Sequence, residues 1–315
     1  MTSLSTAHHV ADPEAEPKRE RPRRRSRSVG RSLWWFTLPA LALYGFVVVV
    51  PTVQGGYMSL TDWSAFSLDR QFVGLKNFAS AFRGEALDAA VRTLFLAVVT
   101  VIGQNVLGLL LAVLLNGRIL GRNVLRTIIF APLVVSPLVV GYLFKYIFGP
   151  PDAGALNALL EVLGFAQVDF LGDPTIALWV IVLVVVWQST GATMVIYLAG
   201  LQSVPPELHE AASLDGANAW QRFWNVTRPL LAPAITINLM LGLIGGLKLF
   251  DQIFATTGGG PGGQTKTIST LIYERFAQLG LYGESAALAI VLALGVAVLS
   301  VVQFAMLRRQ EKKTS

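Results

Sequence analysis

Six apolar runs dominate the chain, at positions 33–53, 89–115, 124–148, 175–200, 230–255 and 285–307. Each meets the length of a helix that crosses the hydrocarbon core of a bilayer, roughly 20 predominantly apolar residues. No water satisfies the backbone in lipid, so a spanning segment is either a helix or part of a closed barrel. Barrel strands alternate apolar and polar residues with period two, whereas these runs are continuous. The expected fold is therefore all-α, a polytopic membrane bundle of six transmembrane helices over residues 31–308. Composition agrees. Charged residues make up 14% of the chain, against about 25% in a soluble protein, which is a poor match for a soluble enzyme.

The first run follows basic residues and contains Ala40-Leu41-Ala42, which imitates a signal-peptide cleavage site. The triplet lies in mid-run and apolar residues continue to Val53, so an uncleaved span is expected. The Arg23-Arg24 pair lacks the rest of a twin-arginine export signal.

Lys and Arg bias sets orientation. With the N-terminus inside, the inner side carries eight basic residues from Lys18 to Arg31 and three from Arg118 to Arg126. Arg222, Arg228 and four more at the C-terminus add to it. The outer loops hold only Arg70, Lys76, Arg83, Lys266 and Arg275. Both termini are thus expected in the cytoplasm of a cell-membrane protein. Residues 1–30, rich in charge, Pro and Ser, are expected to be disordered, and residues 309–315 form a short tail. The run "KRERPRRRSRSVGR" reads as a topology signal and anionic-lipid contact rather than a nucleic-acid site. The absence of Cys excludes disulfides and thiolate metal sites. The three His, His8, His9 and His209, form no metal-ligand cluster in the sequence.

Between the fourth and fifth runs lies a charged stretch, about residues 203–230, which this topology places in the cytoplasm. Pro205 and Pro206 suit a helix start, where a missing N–H costs nothing. Glu207 sits in the first turn, favourable to the helix dipole. Asp215-Gly216 supplies a stop, because Gly tolerates the left-handed cap conformation. A second helix starts near Ala217–Asn218 and carries Trp220, Phe223 and Trp224 at amphipathic spacing. An interfacial loop helix would account for this much. The small Ala211 and Ala212 and the charges of Glu210 and Asp215 favour docking onto a partner instead.

"EAASLDGA" (210–217), followed by Phe223, Val226 and Pro229, resembles the EAA loop of ABC importer permeases. "FVGLKNF" (72–78), "RTIIFAPLVVSP" (126–137), "DAGALNALL" (152–160) and "FDQIFATTGGGPGGQT" (250–265) are similar to segments of the carbohydrate permeases of the maltose-transporter type. The likeness covers most of the chain. Arg228 departs from it, standing where that family usually has Leu. The resemblance implies that Glu210, Ala211, Ala212, Asp215, Gly216 and Ala217 form a coupling helix docked on an ATPase subunit. It implies a second related permease, two ABC ATPase subunits and an extracellular solute-binding protein as partners, with a sugar as substrate. It also implies that the outer loop at Gly258, Gly259, Gly260 and Pro261 contacts the binding protein. ATP and Mg would be held by the ATPase partners and no cofactor by this chain, which is not an enzyme. "GGGPGGQTKT" agrees, because a phosphate loop needs Gly directly before Lys and here Thr265 precedes Lys266.

Polar groups inside spans are functional candidates. If the fifth run is one helix, Lys248 and Asp251 lie on neighbouring faces, either neutralising each other or lining a pocket with Phe250. "WQST", Trp187, Gln188, Ser189 and Thr190, occupies the part of span four that contributes to the family's substrate pocket. Gln104 and Asn105 suit either a path or helix–helix contact, and Pro132 and Pro137 are expected to kink span three. An ion-driven secondary carrier would show internal repeats and broken helices at mid-membrane, and the halves of this sequence show no clear repeat. An ABC permease for another solute class fits the loop but not the outer segments.

Overall fold

The computed structural model describes residues 30–314 apart from Leu68 and Arg118, with side chains from Trp35 to Leu307. The tail expected over residues 1–30 lies outside them except for Gly30. The chain divides into two compact units, Met1–Thr52 and Val53–Ser315. The first unit is helical over Gly30–Tyr44 and continues through a π turn at Gly45–Val49. This helical run, α1, extends to Met58, and its stretch Trp35–Met58 is apolar enough to cross a membrane.

The second unit holds the rest of the bundle. In chain order it contains α2 (Lys76–Ser80), α3 (Gly84–Asn116), α4 (Arg122–Val134), α5 (Pro137–Ile147) and α6 (Ala155–Val162). There follow α7 (Pro174–Gln202), α8 (Pro206–Leu214), α9 (Ala219–Leu230), α10 (Ala232–Leu247) and α11 (Asp251–Thr256). The last elements are α12 (Ile268–Tyr273), extended by a π turn at Glu274–Gln278, and α13 (Tyr282–Thr314). Helix α13 stays helical past residue 309, where the sequence suggested a tail.

Four helices are long and apolar enough to cross a membrane, and two bent pairs, α4 with α5 and α9 with α10 (69°), pass the same test together. Span three bends by 98° between α4 and α5. Pro137 at the first position of α5 has no N–H to continue α4, and it holds Ser136 in an extended conformation (ψ 134°). The expected kink is thus a full break. Span five differs more. Helix α10 has 16 residues, about 24 Å long, and stops at Leu247. Lys248, Leu249 and Phe250 leave helical geometry, Phe250 at φ −136°, before α11 resumes. The expectation of one helix over 230–255, with Lys248 and Asp251 one turn apart on it, is therefore corrected.

Helix α7 is the axis of the bundle, with Ile181, Val184 and Met194 fully buried. Leu96 of α3 packs against Ile181, Val182 and Val185. Ala112 and Leu115 of α3 join Met194, Tyr197 and Leu198 of α7 and Ala234 of α10 in a second cluster. The quoted asparagines are tethers for loops. Asn77 donates to the carbonyls of Ser59 (2.9 Å) and Thr61 (2.8 Å). Asn157, fully buried, donates to Val168 O and accepts from Val168 N, each at 2.8 Å.

Gly191 lets α7 approach α4 backbone to backbone. A Cβ there would meet Ile129 O at 2.5 Å and Phe130 Cα at 2.8 Å. Gly191→Val is expected to destabilise the bundle by about 1–3 kcal/mol through overpacking, read as a lowered thermal unfolding midpoint in detergent. Gly295→Ala, whose added methyl meets nothing within 4 Å, should leave the midpoint unchanged or slightly raised.

Candidate functional site

The break between α10 and α11 opens on a cavity. A cavity of about 320 Å³ opens between α3, α4, α7, α10 and the segment joining α10 to α11. Of the expected path residues, Ser189, Lys248, Phe250 and Asp251 line it. Lys248 and Asp251 are exposed to that space, and among the described residues they form no ion pair with each other. The break explains how each charge is held. Lys248 caps the C-terminal, negative end of α10, and Asp251 opens the positive N-terminal end of α11.

Phe250 stands against Phe254 (centroids 5.2 Å) and Tyr273 (5.5 Å), a small aromatic cluster that fixes its ring at the cavity wall. The freed carbonyl of Leu249 accepts a hydrogen bond from Thr267 Oγ1 at 3.1 Å. Thr267 also caps α12 in a reciprocal pair with Thr270, so one residue secures the break and starts the next helix.

The other three members of "WQST" point elsewhere. Trp187 sits edge-on to Phe144 at 5.2 Å and is half exposed. Thr190 donates to Val186 O within its own helix at 2.6 Å. Gln188 is buried, donating to Val135 O and accepting from Gln252 Nε2, both at 2.9 Å. Asn105 accepts from the Tyr197 hydroxyl at 2.7 Å, a contact between α3 and α7, whereas Gln104 lines the cavity. Sequence reasoning passed over Thr100, Thr193, Asn238 and Gln252, which also line it. All four are polar groups inside apolar runs, the same signal that marked Lys248.

The loop after α11 turns through left-handed glycines, Gly258 and Gly259 among them, and through Pro261. Thr265 Oγ1 donates to Gly260 O at 2.6 Å, and Arg92 of α3 donates to Gly263 O at 2.9 Å. Lys266 bonds Glu85 (2.8 Å) and Glu274 (2.6 Å), while Arg275 bonds Glu85 (3.1 Å) and Glu284 (3.3 Å). Burial opposes the charge on Lys266, but its hydrogen bonds to Glu274 and Glu85 and their attraction outweigh it and raise its pKa. This chain of ion pairs joins α3, the loop, α12 and α13.

The charged hairpin forms as its sequence indicates. Pro205 precedes α8, Glu207 lies in its first turn, and the helix ends at Leu214. Gly216 takes φ 81°. Its N–H bonds Ser213 O at 3.1 Å and the next N–H, of Ala217, bonds Ala212 O at 2.9 Å, the paired closure of a Schellman motif. Asn218 and Gln221 form a capping box for α9. Arg222 bonds Ser213 Oγ at 2.5 Å, tying the two helices together. Arg228 lies over the Trp224 ring at 4.9 Å. Glu210, Ala211, Asp215 and Gly216 are exposed and Ala212 and Ala217 half-buried. Leu214 at 89% and Trp220 at 69% exposure give the tip an uncovered apolar character.

A bundle of apolar helices with a cavity at a helix break, and a helical hairpin between α7 and α10, is the architecture of a membrane permease subunit. Residues 104–315 match the family described as binding-protein-dependent transport system inner membrane component. The chain belongs to that family. It is 34% identical over 281 residues to the multiple sugar-binding transport system permease protein MsmF of Streptococcus mutans, covering 88% of this chain and 96% of that one. It is 35% identical over 254 residues to the trehalose/maltose transport system permease protein MalF of Thermococcus litoralis, covering 80% and 85%. Among solved structures, a chain of a bacterial ABC transporter that imports the acidic polysaccharide alginate superposes with a TM-score of 0.77. That chain shares 26% identity, over 89% of this chain and 96% of its own.

Because Lys248 and Asp251 face the cavity without pairing, removing both cannot restore what removing one takes away. Lys248→Met, Asp251→Leu and the double variant should each lose most solute uptake while membrane content stays at the parent level. Parental uptake in the double variant alone would assign the two charges to mutual neutralisation.

Proposed function

We propose that this chain is one half of the translocation path of an ATP-driven sugar importer. The observation that carries the reading is the cavity. An aromatic face at Phe250, opposite charges at Lys248 and Asp251 and hydrogen-bonding groups at Ser189, Gln104 and Asn238 surround one space. A sugar presents an apolar ring face and a fringe of hydroxyls, which this mixture matches. The similarity to the sugar permeases of Streptococcus mutans and Thermococcus litoralis supports the same substrate class.

The chain itself performs no catalysis in this reading. ATP and Mg are bound by two ABC ATPase subunits, a second related permease completes the path, and an extracellular solute-binding protein delivers the sugar. A solved relative is the alginate transporter in complex with a pentasaccharide-bound periplasmic protein, with a TM-score of 0.78. The α8–α9 hairpin docks on an ATPase through Glu210, Ala211, Ala212, Asp215, Gly216 and Ala217, with Leu214 and Trp220 as its apolar contacts. Outside the bilayer, the loop at Gly258, Gly259, Gly260 and Pro261 meets the binding protein. The path alternates its access as the ATPases close and open. Moving such an equilibrium from 1:99 to 99:1 takes about 5.5 kcal/mol of differential interaction, and a hairpin braced by Arg222 and a Schellman closure transmits force without yielding.

The deciding experiment is purification of the assembled importer and measurement of its ATPase activity with candidate binding proteins, each loaded with its solute. Stimulation by a sugar-loaded protein is expected, and stimulation by an amino-acid-loaded protein alone would refute the sugar reading. Glu210→Lys is expected to leave the permease in the membrane and to abolish that stimulation. Orientation has its own check in a chain that lacks Cys. Ser3→Cys and Ser315→Cys should resist an impermeant thiol reagent in intact cells, and Ser67→Cys should react. Labelling at residue 315 from outside would contradict cytoplasmic termini.

A further inference from the structure

Each helix break frees backbone carbonyls from the helical ladder, and within a bilayer such a group needs a partner inside the protein. At the α10–α11 break the Leu249 carbonyl takes Thr267. At the α4–α5 break the Val135 carbonyl takes the Gln188 side chain of α7. Gln188 has a second bond. Its Oε1 accepts from Gln252 Nε2, and Gln252 follows Asp251 directly on α11 and lines the cavity. One buried amide thus spans from the first break to the helix that begins at the second. Gln188 and Gln252 are 4% and 8% exposed. Helices α5 and α11, the two segments that follow the breaks, also pack closely, since a Cβ on Gly141 would meet Ala255 Cβ at 2.5 Å.

We infer that Gln188 is a positioning residue. By bonding Val135 and Gln252 together it holds α5 and α11 against α7, and so fixes where Asp251, Phe250 and Lys248 stand at the cavity wall. Gln188 does not itself reach the cavity, and the proposal gives it no contact with solute. A glutamine suits the task, because its amide donates through one atom and accepts through the other. Leucine has similar bulk and can do neither. The effect on uptake rests on the sugar reading of the cavity given above, whereas the positions of the helices do not depend on it.

The test uses the assembled importer and two measurements. In the first, spin labels on Val139→Cys of α5 and Leu183→Cys of α7, both exposed positions (56% and 52%) in a chain without Cys, report the separation of the helices. The distance distribution should be narrow with Gln188 and broad or shifted with Gln188→Leu. An unchanged distribution would overturn the proposal. In the second, the sugar concentration for half-maximal uptake should rise roughly tenfold in Gln188→Leu, the size expected when a buried hydrogen-bonding group loses its partner. Gln252→Leu should show a smaller rise, and the double variant should be no worse than Gln188→Leu. Strictly additive losses would mean that the two glutamines act separately and would also overturn it. Should Gln188→Leu fail to assemble, Gln252→Leu carries the uptake test alone, and an unchanged half-maximal concentration in it would overturn the proposal. A broadened distance in an importer that carries no sugar would refute the sugar reading and leave the positioning role standing.

Discussion

A backbone carbonyl freed inside a membrane must find a donor within the protein, and the interior of this bundle is organised around two places where that happens. Pro137 ends α4 and turns span three through 98°. Span five stops at Leu247 and restarts at Asp251. Thr267 and Gln188 satisfy the carbonyls so exposed. Breaking the helices there has a chemical consequence. It turns helix ends toward the interior, and a helix end can hold a charge that a helix middle would leave uncompensated. Lys248 and Asp251 occupy those ends and remain open to the cavity.

The remainder of the molecule keeps those breaks in register. Helix α7, buried along most of its length and close to α4 at Gly191, is the fixed reference. The ion pairs of Lys266 and Arg275 clamp α3 to α12 and α13 beside the glycine loop. They stand outside the apolar spans, where an isolated pair contributes little. Shared partners link these pairs into a chain, and Glu85 sits at its centre. At the other end of the path, Arg222 and the closure at Gly216 make the hairpin stiff. Its apolar tip at Leu214 and Trp220 is uncovered, consistent with a surface made to be buried in an assembly.

Much of this was written in local sequence signals. Unbroken apolar runs give spans, and Pro205, Gly216 and Asn218 each act at the position where the hairpin starts, turns and restarts. Pro137 signalled an interruption but not its angle, which the packing of α5 against α11 decides. The break after Leu247 left only a weak mark, Gly245 and Gly246 just before it. Residues 247–254 contain no Pro or Gly and read as a continuation of the helix. Its cause lies in distant residues, Thr267 bonding Leu249 and Tyr273 stacking near Phe250 and Phe254. For the same reason the sequence sets Lys248 and Asp251 one turn apart on a single helix, which the break prevents. Of "WQST" only Ser189 lines the cavity, since consecutive residues of a helix face different directions.

The proposed function requires solute to pass through the cavity at the α10–α11 break. A cryo-electron microscopy map of the assembled importer, trapped with its sugar inside the membrane, tests it most directly. The account predicts sugar density bounded by Ser189, Phe250 and Asp251, with Gln188 and Gln252 still bonded behind the wall. Density held elsewhere in the transmembrane region, with this cavity closed or filled by side chains, would contradict it.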